Sequence, residues 1–387
     1  MKSTSNVSFT NTAIAFKHQS TAQLKNARLL FKSFDFPILL KWGPLMAKLA
    51  VAIGFKFMIK NTIFAQFCGG ETIEDSSKAI AHLAQSNIGT ILDYSVEGEE
   101  TEDVFVHTCQ EIIKTINMAA GDKRIPFSVF KTTGIVRFEL LEMLTNQSPL
   151  SDSEKAELQR SRARFESICQ AAFDKDVRVF VDAEESWIQG AIDALTEEMM
   201  AKFNTQKAIV FNTIQLYRHD RVEYLKQHIA VAPGFLGYKL VRGAYMEKER
   251  ERAAEKGYAD PIQPNKANSD SDYDAAVKIC IENINRVSVC AGTHNEQSCM
   301  NLVNLLGDKN IDPTDERVWF SQLLGMSDHI SFNLANAGYN VAKYVPYGPV
   351  SAVIPYLTRR ARENSGVAGQ MGRERALIEE ELKRRKG

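Results

Sequence analysis

From residue 89 onward, short runs rich in β-branched and aromatic residues alternate with amphipathic helical stretches. The runs are 89–94, 126–132, 177–182, 208–212, 235–242, 287–293, 318–321 and 342–344. Between them, 101–119, 153–173, 185–203, 218–231, 273–286, 296–306 and 327–337 carry apolar residues at helical spacing. Strand–helix alternation with connections of crossover length predicts a parallel sheet. Eight such units in roughly 275 residues are the size of a (β/α)8 TIM barrel. A doubly wound open sheet is the alternative. That fold usually carries a glycine-rich first turn for its cofactor, and no G-x-G-x-x-G occurs here.

The segment after the eighth run is the most informative. Tyr356, Arg359, Arg360 and Glu363 stand at i, i+3, i+4 and i+7, which on a helix make one face. An apolar stripe of Val353, Leu357 and Ala361 lies beside it. Two guanidiniums on one face suit the grip of a carboxylate or phosphate. The alternative is a solvated face with an Arg–Glu pair. Pro355 leaves the start of this helix open.

Barrel chemistry sits at the C-terminal ends of the strands. Lys131 ends the second run, and Asp182 ends the third or caps the helix that follows. Gln215 and Tyr217 follow the fourth. Lys239 and Arg242 flank two apolar residues in a strand expected to be buried on both faces. Buried cations need partners, so an anionic ligand is inferred. The sixth run ends in Thr293, His294 and Asn295, the seventh leads to Gln322 and Leu323, and the eighth gives Tyr344. Together these groups argue for an anionic cofactor and an anionic substrate. No paired-carboxylate metal signature and no supported Ser/His/Asp arrangement occurs, so a phosphate-bearing redox cofactor fits best.

Composition is that of an ordinary soluble globular protein: 387 residues, 44% hydrophobic and 25% charged. A net charge of −1 offers no field for nucleic acid, and no nucleic-acid partner is expected. The cysteines form no CxxC pair and are read as free thiols in a reducing compartment. The first 70 residues hold one acidic residue, Asp35, against a series of lysines. This acid-poor, Ser/Thr-rich start has the look of a transit peptide. The stretch 37–59 is apolar but is interrupted by Lys41, Lys48 and Lys56, so it is not expected to span a bilayer. A helical arm over 1–85 is expected, either packed on the main domain or resting on a membrane surface. The barrel is expected over 86–366, and a charged helical tail over 367–387.

Six blocks carry a family resemblance: Phe67-Cys68-Gly69-Gly70-Glu71, Val181-Asp182-Ala183-Glu184-Glu185-Ser186, Lys239-Leu240-Val241-Arg242-Gly243-Ala244-Tyr245, Thr293-His294-Asn295, Gln322-Leu323-Leu324-Gly325-Met326, and Tyr356-Leu357-x-Arg359-Arg360-x-x-Glu363-Asn364. In this order, over about residues 65–365, they resemble the proline dehydrogenase family. The resemblance implies a distorted barrel, FAD as cofactor, and oxidation of L-proline to Δ1-pyrroline-5-carboxylate. Electrons would go to a quinone, ubiquinone or menaquinone. It implies that Arg359, Arg360 and Lys131 hold the substrate carboxylate, with Glu363 orienting them or meeting the amine. Asp182 would anchor the network around Lys131, and Tyr344, Tyr356 and Leu323 would pack on the pyrrolidine ring. Gln215, Lys239, Arg242, Gly243, Ala244, Thr293, His294, Asn295 and Gln322 would hold FAD, and Glu97 would pair with Arg360 as a gate. Many bacterial members carry Arg at position 239, Lys at 242 and Trp at 246, where this chain has Lys239, Arg242 and Met246. These departures resemble the monofunctional branch. The expected location is cytoplasmic and peripheral to a membrane, or the mitochondrial inner membrane and matrix for a eukaryotic source. Rival readings are hydroxyproline dehydrogenase, another flavin barrel of the methylenetetrahydrofolate reductase type, and a non-enzymatic membrane-surface scaffold.

Overall fold

The computed structural model describes residues 7–33, 56–95, 100–366 and 370–386; the side chains of 58, 361–366, 370 and 371 lie outside that description. Eight strands occur: β1 (Ile88–Tyr94), β2 (Phe127–Lys131), β3 (Arg178–Asp182), β4 (Val210–Gln215), β5 (Leu236–Val241), β6 (Val287–Gly292), β7 (Val318–Leu323) and β8 (Val341–Tyr347). They close in chain order into a barrel, and the pairings between β1 and β8 and from β2 to β6 are parallel. This is the expected (β/α)8 TIM barrel.

The strands form where apolar residues fill both faces, as in parallel sheets covered by helices. Three phenylalanines show the packing. Phe127 of β2 stacks on Phe180 of β3 at 4.3 Å, and Phe211 of β4 meets Phe180 edge-on at 5.4 Å. Some boundaries differ from expectation. β4 continues through Gln215 rather than stopping at 212. The helix expected from 273 begins at Lys266, because the Asn265 side chain accepts from the Asn268 N–H and starts it earlier. Helices Phe138–Thr145 and Met246–Lys256 were not anticipated. The second is so charged that it buries only Glu249 and Ala253, so it shows no apolar stripe.

Two compact units can be described separately. One runs to Gly98 and resumes at Ser321. In it, the Thr21–Ser33 helix buries Leu24, Ala27 and Phe31 in one cluster with Leu377, Ile378 and Leu382 of the Gln370–Arg384 helix. Val353, Tyr356 and Leu357 of the Val350–Gly366 helix belong to the same cluster. The described part of the arm is therefore packed. Lys41 and Lys48, on which the membrane-surface reading leaned, lie outside the described residues. Lys56 and Lys60 both pair with Glu71, at 2.6 and 2.8 Å. The chain ends meet directly, since Arg385 donates to the carbonyls of Phe16 and Gln19 at 2.7 and 2.8 Å.

The second unit, Glu99–Phe320, holds β2 to β6. A buried polar network crosses it. Asp193 accepts from Gln189, Asn212 and Arg221 at 2.8–2.9 Å. Among the described residues no helix is long and apolar enough to cross a membrane, and the six cysteines are buried and unbridged.

Candidate active site

In the Glu99–Phe320 unit, Lys131 and Asp182 are the last residues of β2 and β3 and are register partners. Asp182 accepts from the Lys239 ammonium, which reaches past β4 from β5. The same ammonium sits 5.4 Å from the centre of the Phe180 ring. The helix after β3 starts at Ser186 with Glu185 at its N-cap position, so Asp182 ends the strand and does not cap the helix. Gln215 ends β4 and donates to the Glu184 carbonyl at 2.6 Å.

Glu184 itself was passed over by the sequence reading, in which nothing distinguishes it from Asp182 and Glu185 beside it. Its carboxylate accepts from the Thr133 N–H at 3.0 Å and the Thr133 hydroxyl at 2.6 Å. Burial pushes its pKa up to about 7, while the Lys131 charge and the Thr133 donors hold it back.

A second group forms around Arg242, just after β5. It donates to Asp270 at 2.6 Å, to the Thr293 hydroxyl at 2.7 Å and to the Ser298 hydroxyl at 2.9 Å, and its guanidinium lies 4.4 Å from the Tyr273 ring centre. It braces the end of β5 against the end of β6 and two helices. Asn295 caps the Glu296–Asp308 helix by accepting from the Ser298 N–H at 3.0 Å. His294, between them, is half-buried. Within the protein, Asp182 and Asp270 pair with Lys239 and Arg242, the two cations from which an anionic ligand was inferred.

Gly243 and Ala244 follow with exposed backbone. Gly243 has φ +136°, and a Cβ there would lie 2.5 Å from the Tyr217 ring, so only glycine fits. The exposed Gly243–Ala244 stretch directly follows Arg242, at the end of a strand paired with β4 up to Gln215, and open main-chain amides beside a guanidinium are of the donor class that phosphate-bearing cofactors such as FAD use.

In the other unit, Pro355 lies inside the Val350–Gly366 helix. Tyr356 is buried, Arg359 and Arg360 are half-buried, and the Arg360 guanidinium sits 5.3 Å from the Tyr356 ring centre. Leu323 ends β7 and packs against the cluster that contains Tyr356. Gln322 is buried and accepts from the Ser331 hydroxyl at 2.8 Å, and Tyr344 is buried within β8. Gly325 has φ +73°, and a Cβ there would lie 2.1 Å from the Gln66 carbonyl oxygen, which explains the glycine of its block. Glu97 and the Glu363 side chain lie outside the described residues. Among the described residues, no group of three His, Cys, Asp or Glu side chains is placed to hold a metal ion.

Residues 76–373 match the family model for proline dehydrogenase. Proline dehydrogenase 1, mitochondrial, of Dictyostelium discoideum is 33% identical, over 89% of this chain and 68% of its own length. Hydroxyproline dehydrogenase of Xenopus laevis is 31% identical, over 96% of this chain and 88% of its own length. The fold is similar to that of proline utilization A from Bdellovibrio bacteriovorus, with a TM-score of 0.70 and 21% identity. That likeness covers 82% of this chain, and the chain spans about a third of that longer protein, 34%. With the family model covering most of its length, the chain belongs to the proline dehydrogenase family.

Proposed function

We propose that the chain oxidises L-proline to Δ1-pyrroline-5-carboxylate with FAD and delivers the electrons to a quinone, ubiquinone or menaquinone. The observation that carries this reading is the tandem Arg359–Arg360 on a helix turn whose tyrosine, Tyr356, is buried in the core beside them. Two guanidinium forks meet a carboxylate, and an apolar ring packs on the phenol. Lys131 adds a third cation to the carboxylate, and Glu363 orients the arginines. Asp182 holds Lys239 and so keeps the charge beside Lys131 balanced. Leu323 and Tyr344 close on the apolar ring, and Glu97 gates the site through Arg360. Gln215, Lys239, Arg242, Gly243, Ala244, Thr293, His294, Asn295 and Gln322 serve FAD, with Arg242 doing so chiefly as a brace for the strand ends. FAD, when bound, supplies the two-electron acceptor. The chain's own share is to fix the substrate's orientation and to balance its charge.

The visible spectrum of the purified protein tests this reading. Flavin bands that bleach on anaerobic addition of L-proline are the expected result. A colourless protein that cannot be reconstituted with FAD would overturn it. Similarity to the Xenopus hydroxyproline dehydrogenase keeps a second substrate in view. Tyr344 argues for proline, since a bulky phenol crowds a ring hydroxyl. Turnover on proline against hydroxyproline decides between them. Peripheral membrane contact through the basic arm is part of the proposal. Equal liposome co-sedimentation by the wild type and a Lys41/Lys48/Lys56→Glu variant would end it.

A further inference from the structure

The Met246–Lys256 helix buries only Glu249 and Ala253, so polar contacts must hold it in place. Glu249 has no exposed surface. Its carboxylate accepts from the Ser186 N–H at 2.6 Å and from the Ser186 hydroxyl at 2.5 Å. Ser186 is the first residue of the Ser186–Phe203 helix, and Glu185, at the N-cap position, makes no side-chain cap of its own. Glu249, 63 residues along the chain, supplies the carboxylate that a helix start favours. Glu185 pairs instead with Lys248, the residue before Glu249. One turn on, Arg252 pairs with Glu142, and its guanidinium lies 4.4 Å from the Trp187 ring centre. Lys248, Glu249 and Arg252 thus dock on Glu185, Ser186 and Trp187, three consecutive residues.

The same helix borders the exposed Gly243–Ala244 backbone. On one side of that segment, the Tyr217 N–H donates to the Arg242 carbonyl at 2.7 Å. On the other, the Glu249 N–H donates to the carbonyl of Tyr245, the residue after Ala244, at 2.9 Å. One residue therefore joins two loops. Its main chain holds the exit of β5, and its side chain holds the helix start that follows β3.

We propose that Glu249 is a positioning residue for the cofactor segment: by capping the Ser186–Phe203 helix from a distance, it fixes the path of the Gly243–Ala244 backbone and so governs how tightly FAD is held. The proposal rests on the reading of Gly243 and Ala244 as cofactor-binding. Glu249 is fully buried, so it acts through the main chain and not by touching the cofactor. A backbone already fixed in its binding shape loses less freedom when the ligand arrives, which raises affinity. Freed from Ser186, a helix with no apolar stripe loses its one buried polar anchor, and the segment it borders gains freedom.

The test follows FAD release from the holoprotein on dilution, read as recovery of flavin fluorescence, with the melting temperature measured in parallel. Glu249→Ala removes both acceptors, and its FAD Kd should rise by up to roughly ten- to a hundredfold. Glu249→Gln keeps the shape, an acceptor for the Ser186 N–H and a donor to the Ser186 oxygen, so it should hold FAD close to wild-type tightness. Asp193→Asn controls for plain loss of stability. It disturbs the buried network of the same helix away from its start, and should lower the melting temperature without weakening FAD. Wild-type FAD affinity in Glu249→Ala, with Gly243→Ala weakened, would overturn this proposal alone. So would a loss of FAD in Asp193→Asn as large as in Glu249→Ala, or no rescue by Glu249→Gln. Wild-type FAD affinity in Gly243→Ala would overturn the cofactor reading of this backbone and this proposal with it. If Glu249→Ala does not fold, Ser186→Ala serves. It removes the hydroxyl and keeps the N–H, so FAD should weaken by roughly three- to tenfold, and an unmoved Kd overturns the proposal.

Discussion

The Lys343 ammonium lies 2.7 Å from the Asp328 carboxylate, with side chains only 1% and 8% exposed. Lys343 also donates to the Met326 carbonyl at 2.6 Å, and Asp328 accepts from the Gln19 amide at 2.8 Å. The pair therefore ties β8, next to Tyr344, to the amino-terminal segment. Removing one partner leaves a buried, uncompensated charge, which costs roughly 3–5 kcal/mol. Lys343→Met should lower the melting temperature markedly in calorimetry. A melting temperature equal to wild type would show that the pair does not hold this region.

Acid should act through the same carboxylate. Burial pushes the Asp328 pKa up, but Lys343 and His18 outweigh burial and hold it well below the ordinary range. Glu71 is likewise lowered, to about 2, because Lys56 and Lys60 outweigh burial. A depressed folded pKa contributes stability that is present above the unfolded value, about 4, and is lost as pH falls through the folded one. Urea midpoints should therefore fall steadily as pH drops below about 4. Asp328→Asn should flatten that fall, and an unchanged slope counts against the assignment.

For the clamp, Arg359→Met should raise the proline KM while leaving FAD bound. Loss of a charge-assisted hydrogen bond of about 1.5–3 kcal/mol corresponds to roughly ten- to a hundredfold. Steady-state kinetics with a parallel flavin-to-protein ratio checks both halves. A KM equal to wild type removes Arg359 from the clamp.

Gly243→Ala forces a Cβ to within 2.5 Å of the Tyr217 ring at φ +136°. The loop must shift, at a cost of order 1–3 kcal/mol. Protein purified with less FAD per chain than wild type is expected. Full FAD occupancy would show that this backbone is not part of the cofactor site.

The barrel was legible because each strand buries both faces, so Val, Ile and Phe run together at intervals that leave room for a crossover helix. The Tyr356–Arg360 turn stands out in the sequence for the opposite reason, since polar groups stand where a core stripe is expected, and Tyr356 is indeed in a core cluster. Asp182 was ambiguous in the sequence, because a strand end and a helix cap both favour aspartate; Glu185 at the N-cap position settles it. Glu184 was not legible. Its importance comes from Thr133, 51 residues away, and from a burial that no local pattern encodes. Lys343 hid similarly, inside a run read as strand, because its partners, the Met326 carbonyl and Asp328, come from the loop and helix start that follow β7.

The contact of Arg385 with Phe16 and Gln19 joins residues 369 and 366 positions apart. During synthesis the first helices thus emerge long before the last one exists to cover Leu24, Ala27 and Phe31. The turn bearing Arg359 and Arg360 shares that cluster through Tyr356. It can reach its final packing only after the Gln370–Arg384 helix has been made and has closed on the Thr21–Ser33 helix. Closing so long a loop is slow, and the waiting apolar surface is open to aggregation. A nascent chain cut short between Arg360 and Gln370 would carry both arginines without the helix that completes the cluster holding Tyr356.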